Sequence, residues 1–160
     1  MKGFNEFRTF ALVTGAASGM GRIYSQRLAQ KGYNIIMVDI NAAGLQETER
    51  LVKAEVEASD AISREHKGAF RVLSVTQDLS VTDAADKIFA ATEAAGCVVE
   101  VLVNNAGVMY CQGIAETSER MLNIIMMVHM YTPLMLCRKY VAGMKERKCG
   151  YILNISSLAA

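Results

Sequence analysis

The sequence predicts a doubly wound α/β domain on a parallel sheet, and three observations predict it. Short apolar runs alternate along the chain with stretches of helical spacing. The runs are apolar without a break instead of alternating with polar residues, as strands covered on both faces are. Glycines and small polar residues follow the runs, at the strand ends where such sheets hold ligands.

Phe10–Thr14 (FALVT) is the first strand, and Gly19–Lys31 is a helix with apolar residues at Met20, Ile23, Tyr24, Leu28 and Ala29. Gly32 stops that helix, and Asn34–Ile40 (NIIMVDI) is a second buried strand. A long polar helix is expected over Asn41–Glu65, a strand over Phe70–Val75, a helix over Val81–Ala95 and a strand over Val98–Val103. Thr117–Arg147 reads as mostly helical, bent at Pro133, whose ring removes one backbone hydrogen bond. Tyr151–Ile155 is a fifth, buried-looking strand running into two serines, and right-handed crossovers join the strands.

With 160 residues the chain fits one core and falls short of two ordinary domains, so residues 1–160 are read as a single domain. Hydrophobic residues at 52% and charged residues at 21% are those of a soluble globular chain. The 17 basic and 16 acidic residues are mixed and leave a net charge of +1, too weak a field to recruit nucleic acid or an anionic membrane. The longest apolar stretch, around Ile124–Met130, falls short of the roughly 20 residues a membrane span needs. The N-terminus lacks the order of a signal peptide, so a cytoplasmic location is expected. Cys97, Cys111, Cys137 and Cys149 share no CxxC spacing and there are two histidines, so reduced thiols and no metal site are expected.

The strand ends carry the chemistry. TGAASGMG, Thr14–Gly21, sets Gly15, Gly19 and Gly21 between a buried strand and a helix, where backbone N–H groups and the helix dipole can hold a pyrophosphate. Asp39 lies 18 residues past Gly21 and either accepts hydrogen bonds from an adenosine ribose or caps the next helix. In the first case its charge repels a 2′-phosphate and favours NAD over NADP. Arg22 and Arg27 are nearby but fall inside the helix, which makes rescue of a phosphate by them the less favoured reading. In QDLS, Asp78 either accepts from an adenine amino group or begins the following helix. In NNAG, Asn104–Gly107, a structural role for Asn104 and a cofactor role for Asn105 are both open.

Together TGAASGMG, VDI, QDL, VNNAG and ILNISS resemble a short-chain dehydrogenase/reductase with a single-domain Rossmann fold, from about Thr9 to Ala160. The resemblance implies an NAD(P)-dependent oxidoreductase moving a hydride between nicotinamide and a small-molecule carbonyl or alcohol. It implies cofactor contacts at Gly15, Ser18, Gly19, Met20 and Gly21, and after the next two strands at Asp39, Ile40, Asp78 and Leu79. Further contacts are implied at Asn105, Ala106, Gly107, Val128 and Ser156. Ser157 would hydrogen-bond the substrate oxygen, and Val108–Gly113 would approach the substrate.

The resemblance also implies a catalytic tyrosine followed four residues later by lysine, which would fall beyond Ala160. The chain is therefore expected to be the N-terminal portion of a longer enzyme. General acid–base catalysis contributes roughly 10² to 10⁴ in rate, so the portion alone is expected to be nearly inactive. His129, in VHM, takes the place of the family's catalytic asparagine, either as a hydrogen-bond relay or as a packed helix residue. A nucleotide-binding or oligomerising module without chemistry is the alternative function. The surplus of methionines in the last helix, with the family's habit of pairing such helices, implies a homodimer or tetramer.

Overall fold

The computed structural model describes residues 9–156. Its elements run β1 (Thr9–Thr14), α1 (Gly19–Gln30), β2 (Asn34–Asp39), α2 (Ala42–Ala58), α3 (Arg64–Ala69), β3 (Val72–Thr76), α4 (Ala84–Ala94), β4 (Val98–Asn104), α5 (Glu119–Met126), a π-helical turn (Met127–Tyr131), α6 (Thr132–Arg147) and β5 (Tyr151–Asn154). The strands form one sheet in the order β3-β2-β1-β4-β5, with every pairing parallel. The strand order reverses between β1 and β4, and the crevice at that switch point is where a sheet of this kind binds ligands.

Alternation along β1 divides the core in two. Phe10 and Leu12 join Ile36, Val38 and Leu102 under Ile88 of α4 and Leu136 and Tyr140 of α6. Ala11 and Val13 join Ile35, Met37, Val101 and Val103 under Ala29 of α1 and Leu45, Val52 and Val56 of α2. Ile36, Met37 and Leu102 have no exposed surface, and truncating any of them to Ala costs about 2–5 kcal/mol.

The expected long helix over Asn41–Glu65 is two helices. The first stops where Ser59 takes extended backbone angles, and Ser63 Oγ accepts from His66 N–H to start the second. α4 begins at Ala84, three residues later than expected, after a turn over residues 79–83. The bend expected from Pro133 is a π-helical turn that ends just before it, with Thr132 N–H reaching back to Met127 O. β5, buried-looking in composition, is an edge strand: among the described residues it pairs with β4 alone, and Tyr151, Leu153 and Asn154 are exposed.

By length and composition the helical stretch Glu119–Arg147, with a mean hydropathy of 1.2 over its most apolar window, is long and apolar enough to cross a membrane. Its Val128, Leu136, Tyr140 and Met144 pack into the core against the sheet, which makes it a layer of the α/β domain.

Candidate cofactor and active site

Close contacts fix the glycine loop at Gly15 and Gly21. Gly15 has φ +68°, and a Cβ there would lie 2.8 Å from Ala106 Cα. A Cβ on Gly21 would lie 2.0 Å from the carbonyl oxygen of Gly15, so α1 can approach the loop only with glycine at that position. Ala16 N–H donates to Val38 O at 3.2 Å, and Ala17 N–H donates to Asp39 Oδ2 at 3.0 Å. The side chain of Ser18, at the N-cap, makes no capping bond, so the first-turn N–H groups of Gly19, Met20 and Gly21 remain available to an anion.

Thr14 is the hub that joins this loop to β4. Its Oγ1 accepts from Asn105 N–H at 3.0 Å and from Ala106 N–H at 3.1 Å. Asn105 Nδ2 donates to Thr14 O at 3.0 Å, so its carboxamide lies under the loop as a strut between β1 and β4. Asn104 Nδ2 donates to Asn154 Oδ1 at 2.8 Å and to Cys137 Sγ at 3.4 Å, tying β4 to β5 and α6. A buried threonine hydroxyl at the end of an apolar strand was the sequence signal for this hub, since such a group needs partners.

The crevice at the switch point has a volume of about 280 Å³. Gly15, Asp39, Ile40, Asp78, Leu79, Ala106, Gly107 and Val128, eight of the residues implied for the cofactor, line it. Gln77, Ser80, Val108 and Ile124 line it as well. Ser18, Gly19, Met20 and Gly21 sit at the mouth of α1, and Asn105 lies behind the wall. Ser156 is exposed just past β5, and Ser157 lies outside the described residues.

Both acidic residues bind backbone as well as facing the crevice. Asp39 Oδ1 accepts from Asn41 N–H at 2.9 Å, while Asn41 itself caps α2 through Gly44 N–H. Asp78 Oδ1 accepts from Ser80 N–H at 2.8 Å and so shapes the turn after β3; the helix that follows starts later, at Ala84, with Asp83 at its N-cap. An ionised carboxylate has about four lone-pair sites, so each residue keeps acceptor capacity for a ligand. His129, on the π-turn, places Nε2 3.0 Å from both Val108 N and Val108 O. Unprotonated Nε2 accepts from the N–H, and protonated Nε2 donates to the carbonyl. The ring lies against Gly107, where a Cβ would come within 3.0 Å of Cε1.

A fixed glycine turn, unfilled helix donors and a carboxylate after β2 suit a dinucleotide, and the motif order matches a known family: the family model described as short chain dehydrogenase covers residues 9–160. The chain belongs to the short-chain dehydrogenase family. A very-long-chain 3-oxoacyl-CoA reductase of Mycosarcoma maydis is 31% identical, the alignment covering 94% of this chain and 41% of that protein. A diacetyl reductase [(S)-acetoin forming] of Staphylococcus epidermidis is 32% identical over 93% of this chain and 53% of its own length. The chain thus spans about half the length of the curated relatives it matches. Among solved structures, a metagenomic short-chain oxidoreductase in complex with NADP superposes with a TM-score of 0.81 at 28% identity, over 97% of this chain and 65% of that one. The L-sorbose reductase of Gluconobacter frateurii, complexed with NADPH and L-sorbose, gives 0.77 at 25% identity, over 91% and 51%. The family binds NAD(P).

Proposed function

We propose that the protein is an NAD-dependent oxidoreductase that interconverts a small-molecule carbonyl and alcohol, and that this chain supplies its cofactor cradle. One observation carries the reading: the Asp39 carboxylate, held by two backbone N–H groups, stands on the crevice wall beside a glycine turn whose helix donors are unfilled. A bound nicotinamide would supply the hydride acceptor or donor. The residues of the chain bind and orient. Gly19, Met20 and Gly21 offer N–H groups to the pyrophosphate, Asp39 accepts from the adenosine ribose, and Asp78 stands where the base ends. Leu79, Ala106, Gly107 and Val128 give a smooth wall that a flat ring can lie along.

Asp39 argues for NAD, although relatives solved with a cofactor hold NADP or NADPH. Its two backbone donors fix the charge, so it cannot swing away from a 2′-phosphate. Ser157 is proposed to orient the substrate oxygen and His129 to relay a proton beside Val108. Calorimetric titration tests the reading: NAD⁺ should bind, and NADP⁺ more weakly. Equal or tighter NADP⁺ binding refutes the preference, and binding of neither refutes the cradle.

The same family reading extends to assembly. Met126, Met130, Tyr131 and Leu134 are exposed along α5, the π-turn and α6, an apolar face suited to a second copy of the chain. A monomeric mass by light scattering would exclude that association. The four cysteines are free, which suits the proposed cytoplasmic setting.

A further inference from the structure

Two walls of the crevice belong to strands that do not touch. Leu79 follows β3 and Val108 follows β4, and both line the crevice, yet β2 and β1 lie between those strands in the sheet. One short stretch, residues 128–132, reaches both walls. Val128 lines the crevice too and packs in the same core cluster as Leu79. His129 Nε2 lies 3.0 Å from both Val108 N and Val108 O. Thr132 is buried, and its Oγ1 donates to Leu79 O at 2.8 Å.

The π-turn lets one stretch serve two sides. In a regular helix a threonine hydroxyl commonly returns to the carbonyl three or four residues back. That of Thr132 instead leaves its helix for the turn after β3. The Thr132 N–H reaches five residues back, to Met127 O, so the backbone carries the extra residue of an i→i+5 turn. The wider turn rotates Thr132 away from His129, and turns of this kind recur at functional sites. The Thr132 hydroxyl and the Leu79 carbonyl are buried together, so parting them leaves an acceptor unsatisfied and holds the pair closed.

We infer that the π-turn is a clamp that sets the spacing of the two crevice walls, with Thr132 as the positioning residue that ties it to the β3 side. The inference rests on the proposed reading of the crevice as the cofactor cradle. Thr132 acts through Leu79 and not on the cofactor itself. A dinucleotide long enough to meet both walls feels their spacing, whereas adenosine monophosphate fills the adenosine half alone and feels it less.

Calorimetry and amide exchange test the clamp in the wild type, Thr132→Val and Thr132→Ser, with circular dichroism as the check on folding. Thr132→Val keeps the shape and removes the donor, so NAD⁺ affinity should fall about tenfold and that of adenosine monophosphate by less than about twofold. Thr132→Ser keeps the hydroxyl and should hold both near the wild type. Unchanged NAD⁺ affinity, equal losses for the two ligands, or a serine variant as weak as the valine one overturns the clamp. The second measurement needs no cofactor. In the free protein Thr132→Val should speed exchange of the Val108 N–H about fivefold or more, although the two residues lie on opposite sides of the turn. Exchange that quickens at Ser80 alone would make Thr132 a local prop of the β3 turn and overturn the clamp. Thr132→Ala repeats both measurements if the valine variant folds poorly. A wild type that binds neither ligand refutes the cradle reading, and the exchange result then decides the clamp by itself.

Discussion

The two halves of the crevice are built differently. On the side of β1 and β2, loop backbone groups are held by specific partners, as Ala16 is by Val38, Ala17 by Asp39 and Arg22, and Thr14 by Asn105 and Ala106. Gly15 and Gly21 touch neighbouring backbone with no room for a side chain. On the side of β4 and β5, Asn104 Oδ1 and Asn105 Oδ1 are buried without a hydrogen bond. Residues 105–118 form no helix or strand, and Val108 is tethered through one exposed histidine. Backbone geometry therefore fixes the half assigned to the adenosine and pyrophosphate. Behind the β4 side lie buried side-chain acceptors without partners, and such acceptors stay costly until a donor reaches them.

Adding one carbon breaks the rigid half most severely. Gly21→Ala places a Cβ on the Gly15 carbonyl, an obstacle that no rotamer change relieves, so a loss of about 3 kcal/mol or more is expected in chemical denaturation. NAD⁺ binding should vanish from the calorimetric trace. A fully stable Gly21→Ala protein with intact binding would show the loop to be soft. Thr14→Val is the next largest change. It keeps the shape but leaves the N–H groups of Asn105 and Ala106 without their acceptor, at about 2 kcal/mol by the same measurement.

What the sequence made legible follows the same division. Strand runs, glycine spacing and the acidic residue after β2 are local patterns, and the fold and the rigid half of the crevice were readable from them. The partners of side chains were not. Asn105 acts as a strut because it meets Thr14, a residue 91 positions away in the chain. Nothing in a helical position reveals that Arg22 turns back to Ala17 and Thr48. The split of the expected helix over Asn41–Glu65 depended on a serine cap, a weak signal inside a polar stretch.

Tyr140 measures how firmly α6 anchors the looser half from beneath. Its hydroxyl lies 2.9 Å from Thr92 Oγ1, and burial pushes the phenol up to about 12 from its ordinary 10.0. A raised value means that the fold favours the neutral phenol. The stability it contributes is complete below pH 10.0 and is lost as pH rises through about 12. Tyr33, pushed up by burial and by Glu100, loses its contribution at still higher pH. Tyr140→Phe should cost about 1 kcal/mol at neutral pH and flatten the alkaline decline relative to the wild type. An unchanged decline would assign that edge to other groups.

The smallest effect is expected at His129, and its smallness is the point of measuring it. His129 and Val108 are both exposed, so water can replace the ring when His129→Leu removes it. Global stability should move by no more than about 0.5 kcal/mol. The Val108 N–H should nevertheless exchange with solvent faster, because that bond is its link to the π-turn, while the β1 amides of Leu12 and Val13 keep their protection. A loss comparable to that of Thr14→Val would mean that the β4 side is as firmly locked as the β1 side, and the contrast would fall. Faster exchange confined to Val108 would place the contrast in local opening: a loop that can move over a crevice whose other wall cannot.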